Sequence, residues 1–139
     1  MKEKWIKAYM DVAHRFAQLS SARRLNVGAI IVKDDKIISI GYNGTPAGWD
    51  NNCEEEMPDG SLVTKKEVLH GEENAIVKLA KTNGNAQGAT MFCTHSPCIH
   101  CSKLIHGSGI SKVFYKTIYR NDDGIQFLKK CGIDVISIE

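Results

Sequence analysis

"ATMFCTHSPCIHCSKLIHGSGISKVFYKT", Ala89 to Thr117, is the stretch on which the reading of the fold turns. Two runs rich in apolar, β-branched and aromatic residues, "ATMFCT" (89–94) and "KVFYKT" (112–117), flank a segment that reads as a helix from about Cys98 to Ser108. Strand, helix and strand in that order imply a right-handed crossover and parallel pairing. The pattern continues downstream with a helix over about 122–131 and a last strand "DVISIE" (134–139), so the final three strands should run parallel. Gly84 and Gly88, Gly107 and Gly109, and Gly132 fall where helices should end. Upstream, a helix begins near His70 with Ile76, Leu79 and Ala80 as its apolar stripe. Before it, "VGAIIV" (27–32) and "IISIGY" (37–42) are separated by the turn-forming "KDDK", which predicts an antiparallel hairpin. Residues 2–19 place Trp5, Ala8, Tyr9, Val12, Phe16 and Leu19 at intervals of three and four, a first amphipathic helix. The expected architecture is α/β, a three-layer α/β/α fold with one five-stranded mixed sheet and helices on both faces. The first and last helices are expected to share a face.

Residues 43–68 stand apart, because they lack periodicity and carry Gly44, Pro46, Gly48, Pro58 and Gly60. A loop this long inside a compact domain is functional or mobile. The chain as a whole, 139 residues with 42% hydrophobic content, suits one domain (1–139) with a single substantial core. Its formal charge is only +2, from 18 basic and 16 acidic side chains, far from the strongly basic balance of a nucleic-acid footprint. A small anionic ligand fits better than a polynucleotide. No apolar run approaches the roughly 18 residues needed to span a bilayer, and "MKEKWIKAYMDVAHRF" is charged throughout, so a cytoplasmic protein with no membrane partner is expected. Five cysteines, two of them three apart at Cys98 and Cys101, favour metal or redox chemistry over a disulfide framework.

The chemistry concentrates in "LHGEENAIVK" (69–78) and "SPCIHC" (96–101). His70 and Cys98 each open a helix bordering the same sheet, so both helix N-termini can meet at one point with Cys101 one turn further on. One imidazole and two thiolates form a catalytic zinc set that leaves a fourth tetrahedral position for water. The positive ends of two helices favour thiolates and a bound hydroxide there. Glu72, two residues past His70, is placed to face that water as general base and then general acid. Histidine, glutamate and Pro-Cys-x-x-Cys together are the signature of zinc nucleobase deaminases. Two bland readings stand beside it: a redox pair at Cys98 and Cys101, or a closed structural zinc site with Cys53, His95, His100 or His106 as fourth ligand. His14, His95, His100 and His106 are otherwise expected as surface or packing residues, with His95 placed to line the pocket. Cys93 and Cys131 read as small core residues and Glu73 as a solvated carboxylate.

With those residues in view, the chain resembles the deoxycytidylate (dCMP) deaminases of the cytidine deaminase-like superfamily, phage members included. The resemblance rests on "VGAIIVKDDKIISIGYNGTPAG" (27–48), "HGEENAI" (70–76), "THSPCIHCSKLI" (94–105) and "YKTIYR" (115–120) in the family's order. It implies hydrolysis of dCMP to dUMP and ammonia, which feeds thymidylate synthesis, with attack at carbon 4 of cytosine and Glu72 moving the protons. It also implies that Arg24, Tyr119 and Arg120 contact the nucleotide phosphate and Asn43 the sugar or phosphate. Two guanidiniums suit a phosphate dianion through paired hydrogen bonds.

The segment "GYNGTPAG" (41–48), with Gly41, Tyr42, Gly44 and Thr45, corresponds in the family to an allosteric site. There dCTP with Mg²⁺ activates and dTTP inhibits, at subunit interfaces of a homo-oligomer, a hexamer being favoured. Gly41, Gly44 and Gly48 would let backbone approach phosphates. Two departures are visible. Ala22 stands where many members have a cysteine of a second, structural zinc site, so one Zn²⁺ per subunit is expected. Gly71 stands where alanine is common, a small cost at a first helical turn.

Overall fold

Strand β5 (Thr90–His95) lies at the centre of the computed structural model, which describes residues 1–138. It pairs on one side with β1 (Gly28–Lys33), antiparallel, and on the other with β6 (Lys112–Thr117), parallel. β2 (Lys36–Tyr42) and β7 (Asp134–Ser137) form the edges, giving the order β2-β1-β5-β6-β7. β1, β5 and β6 are covered on both faces, which is why they read as continuous apolar runs rather than alternating ones. The parallel set β5, β6, β7 and the β1–β2 hairpin stand as expected, save that Glu139 lies outside the described residues. The hairpin turn, Asp34-Asp35, has φ of 52° and 61°, the positive pair that a two-residue turn needs to match strand twist.

Helices cover the two faces unequally. Helix α1 (Glu3–Ala17) packs alone on one face, where Tyr9, Met10 and Ala13 meet Ile30, Phe92 and Phe114. Phe92 and Phe114 stack there at 4.9 Å. On the other face α2 (Gly71–Leu79), α3 (Ile99–Gly107) and α4 (Asp123–Lys130) bury Ala75, Leu79, Ile105, Ile125 and Leu128 against Ile31, Met91, Cys93 and Val113. The last helix therefore does not share a face with the first. β5 to β6 and β6 to β7 step across the sheet in the same direction, and two right-handed crossovers stepping the same way must lie on the same side. The buried face of α1 is also rotated from the expected one: Trp5 and Leu19 are exposed, and Ala13 and Ala17 do the packing. Those small residues sit where the helix backbone comes closest to the sheet, against Gly28. In α2 the buried positions are Gly71, Glu72, Ala75 and Leu79, with Ala80 exposed.

The stretch 43–68 is not a bare loop. It contains a two-stranded hairpin of β3 (Glu54–Glu56) and β4 (Leu62–Thr64), closed by Gly60 at φ 86°. Glu54 is buried at 2% exposure, and its Oε2 accepts the backbone N–H groups of Arg23 (2.9 Å) and Arg24 (3.1 Å). Its other oxygen sits 3.5 Å from Arg23 Nε. A carboxylate with those partners can be buried, and it docks the hairpin onto the loop before β1. No helix among the described residues is long and apolar enough to cross a membrane.

Gly41 shows how tightly α2 seats. A Cβ there would collide with the Gly71 carbonyl oxygen and lie 2.5 Å from Ala75 N. Gly41→Ala is expected to lower stability by about 3 kcal/mol, a drop of roughly 10 °C in Tm. Thermal unfolding checks it, and an unchanged Tm would contradict the close approach.

Candidate active site

Two helix N-termini converge on one point. Leu69 is bridged to Gly44, two residues past β2, by N–H···O bonds of 2.8 and 3.1 Å, which delivers His70 as the N-cap of α2. Cys98 is the N-cap of α3, reached through the fully buried Pro97, and its Sγ accepts from Cys101 N at 3.4 Å. Gly124 of α4 packs beneath this turn, where a Cβ would collide with the Pro97 carbonyl oxygen. His70 Nδ1 lies 3.2 Å from Cys101 Sγ and 3.5 Å from Cys98 Sγ, and the three donor atoms all fall within 4.8 Å of one another. Tetrahedral zinc with ~2.3 Å bonds to sulfur and ~2.0 Å to nitrogen sets N and S about 3.6 Å apart. The donors present fit that ion.

The charges at the trio say the same. Cys98 is held down at about 3 by hydrogen bonds from Cys101 and His70, while the Cys101 thiol is pushed far up by its hydrogen bond to Cys98, by burial and by Glu72. The two sulfurs are driven in opposite directions because two bare thiolates beside a carboxylate would repel. A divalent cation removes that conflict. His70 is raised by its hydrogen bond to Cys98 against the opposing effect of burial.

Glu72, 4% exposed, is pushed up to about 7 by burial, opposed by His70 and by a hydrogen bond with Cys101. It is poised to take up or release a proton near neutrality. Glu73 is not merely solvated: Oε1 accepts from His70 N at 3.2 Å and Oε2 meets His100 Nε2 at 3.3 Å, so one side chain ties the starts of α2 and α3. Its i,i+3 position relative to the N-cap is the readable signal. None of the candidate fourth ligands joins the trio. Cys53 is buried beside Ser21, His95 bonds Thr94, His100 faces Glu73, and His106 packs edge-on against Phe127 at the far end of α3.

The trio opens into a cavity of about 590 Å³ lined by His70, Glu72 and Cys98, and also by Arg24, Asn43, His95, Tyr119 and Arg120. Arg24 reaches it from the loop that Glu54 holds, and its Nη1 donates to Thr64 Oγ1 at 3.0 Å. Asn43 is committed largely to the fold: Oδ1 accepts from Val27 N at 2.9 Å and Nδ2 donates to the Leu25 carbonyl at 2.7 Å. One N–H remains free. Tyr119 N donates to Ser96 Oγ at 2.9 Å, and the Arg120 guanidinium lies over the Tyr119 ring at 5.1 Å. Arg120 adopts φ 66°, a left-handed backbone that a bulky residue rarely takes and that marks a held position.

Val63, Thr64, Lys65, Lys66 and Val68 line the same cavity and went unread in the sequence, since strands of three residues carry no periodicity. Gly41, Tyr42, Gly44 and Thr45 are not among its lining residues. Gly41 is glycine because α2 presses on it, and Thr45 Oγ1 donates to the Asp50 carbonyl.

The sequence matches the family described as the cytidine and deoxycytidylate deaminase zinc-binding region over residues 3–117. It is 32% identical to the deoxycytidylate deaminase of Enterobacteria phage T4, over 93% of this chain and 87% of that protein. It is 36% identical to ComE operon protein 2 of Bacillus subtilis, over 97% of this chain and 71% of that protein. The fold superposes on the dCMP deaminase of cyanophage S-TIM5, solved in complex with dCMP and dUMP, with a TM-score of 0.92 and 46% identity over 99% of both chains.

Proposed function

Because the chain belongs to the cytidine and deoxycytidylate deaminase zinc-binding family, we propose that it hydrolyses dCMP to dUMP and ammonia. The observation that carries this reading is a single cavity lined by His70 and Cys98 of the donor trio, by Glu72, and by a group of cationic side chains. Arg24, Lys65, Lys66 and Arg120 face it against Glu54, Glu72 and Asp123, and Glu54 is already occupied by Arg23 and two backbone N–H groups. That balance selects an anionic substrate, as a nucleoside monophosphate is.

His70, Cys98 and Cys101 would hold one zinc per chain, which when bound would supply Lewis-acid activation of a water. The buried Glu72 carboxylate takes the two protons of the attacking water in turn, passing the first to N3 of cytosine and the second to the departing amino nitrogen, so that the water oxygen becomes the C4 carbonyl and ammonia leaves. Arg24 and Arg120 grip the phosphate, and the ring of Tyr119 orients the Arg120 guanidinium. Asn43 and His95 supply further polar contacts to the nucleotide.

Arg120→Ala should lower kcat/KM for dCMP by about 10- to 100-fold while leaving the weak turnover of deoxycytidine nearly unchanged. Steady-state ammonia release on both substrates measures it. Equal losses on the two would argue against phosphate recognition.

The same family resemblance supports activation by dCTP with Mg²⁺, inhibition by dTTP and assembly as a homo-oligomer, with hexamer favoured, at the segment containing Gly41, Tyr42, Gly44 and Thr45. A cytoplasmic location accords with a nucleotide substrate. A sigmoidal dCMP curve that dCTP and Mg²⁺ straighten is the expected result; a hyperbolic curve indifferent to both would remove the regulatory part alone.

A further inference from the structure

Thr94 is fully buried on β5, and its hydroxyl oxygen accepts the Gly28 backbone N–H at 3.1 Å. Its other partner among the described residues is Nδ1 of the adjacent His95, at 2.9 Å. A hydroxyl has one proton to give. Were Nδ1 protonated, it would donate to Oγ1, and the hydroxyl's own proton would be stranded in the interior with no acceptor. That arrangement is costly, whereas the reverse leaves neither Oγ1 nor Nδ1 unpaired: the hydroxyl donates to a bare Nδ1 and the ring proton sits on Nε2.

Nε2 has no protein partner among the described residues and is not among the sealed polar atoms, and the ring lines the cavity. We infer that Thr94 is a positioning residue that fixes His95 as the Nε2–H tautomer, so that the ring offers a neutral hydrogen-bond donor to an acceptor oxygen of the bound nucleotide.

Two further contacts support it. The His95 ring meets Tyr119 edge-on at 6.2 Å and 80°, and Tyr119 is itself held by Ser96, so the ring plane is constrained. Burial, with His14 acting in the same direction, keeps the ring below the ordinary histidine pKa, and a neutral ring must choose one tautomer. A neutral donor adds specificity for an oxygen without adding charge beside Arg24 and Arg120. The recognition rests on the cavity's being a nucleotide site; the tautomer does not.

The test reads both. Nitrogen-15 spectra of the zinc-loaded, ligand-free protein near neutral pH, with His95 assigned by its loss in His95→Gln, should show protonated Nε2 and bare Nδ1. Thr94→Val should mix the tautomers and raise KM for dCMP about tenfold with kcat little changed, and Thr94→Ser should restore both. His95→Asn should raise KM as Thr94→Val does, while His95→Gln, whose amide reaches the Nε2 position, should raise it measurably less. The histidine pair and the wild-type spectrum decide the matter even if Thr94→Val does not fold. A protonated Nδ1 in an active enzyme, or an unchanged KM in His95→Asn, overturns this inference alone. Absence of dCMP turnover in the wild-type chain overturns the proposed function and the recognition with it.

Discussion

Replacing Glu72 with glutamine should leave zinc bound and lower kcat for dCMP by on the order of 10³- to 10⁴-fold. Glutamine keeps the size of the side chain and can hydrogen-bond, but it cannot carry one water proton to the ring nitrogen and the other to the leaving amine. The trio of His70, Cys98 and Cys101 is untouched, so metal content should stay at wild-type level. Stability supplies a second readout. Burial raises the Glu72 carboxyl to about 7 from an ordinary 4.5, so between those values the metal-free folded chain holds a proton that the unfolded chain has released. Stability contributed by the protonated group is therefore full below about pH 4.5 and is lost as pH rises through about 7. Glutamine does not titrate, and the metal-free variant should be at least as stable as wild type at pH 7 and above. Zinc analysis, ammonia release and thermal unfolding on one preparation separate the roles. A zinc-loaded Glu72→Gln enzyme with wild-type turnover would remove Glu72 as the proton carrier.

What the sequence disclosed follows from which residues face one another locally. The β5-α3-β6 unit was legible because strands covered on both faces must be apolar along their length, as Met91, Phe92 and Cys93 are. The pairs His70 with Glu72 and Cys98 with Cys101 were legible because short spacings at helix starts fix local geometry, and the meeting of the two pairs was legible because both helices border one sheet. Where burial depends on a distant partner, the chain gave no local sign. Glu54 opens a run of three glutamates and looks like a solvated turn, yet it is buried because the loop at Arg23 and Arg24, some thirty positions earlier, presents two N–H groups to it. The wall of the cavity formed by Val63, Thr64 and Lys65 was lost with it. The face of α1 failed for a related reason: Trp5 promises more apolar contact than Ala13, but only small residues fit where the helix meets Gly28. The side taken by α4 turns on the strand order, which local pattern does not give: with β6 between β5 and β7, crossover handedness puts α4 beside α3.

Cys98→Ser should abolish zinc binding and turnover while leaving the metal-free fold intact, and this pairing makes the substitution informative. The Cys98 sulfur is held as a thiolate at about 3 by Cys101 and His70. A serine hydroxyl does not ionise near neutrality and makes a poor third ligand, so zinc should fall to background after dialysis. At the same position the residue is the N-cap of α3, accepting Cys101 N, and serine is among the preferred N-caps. The variant therefore keeps the local hydrogen bond that the wild type uses to start the helix. The metal-free variant should still unfold cooperatively, at a Tm below metal-free wild type because the thiolate's hydrogen bonds with Cys101 and His70 are gone, whereas the stabilisation that wild type gains from zinc, roughly 4 kcal/mol at a thousandfold excess over Kd, should vanish in the variant. Loss of activity in a metal-free variant that still unfolds cooperatively assigns the effect to the metal and not to α3. A Cys98→Ser protein that retains a full equivalent of zinc and still releases ammonia from dCMP would take Cys98 out of the ligand set. The pair His70 and Cys101 would then have to hold the ion by themselves, which two ligands of a four-coordinate site do poorly.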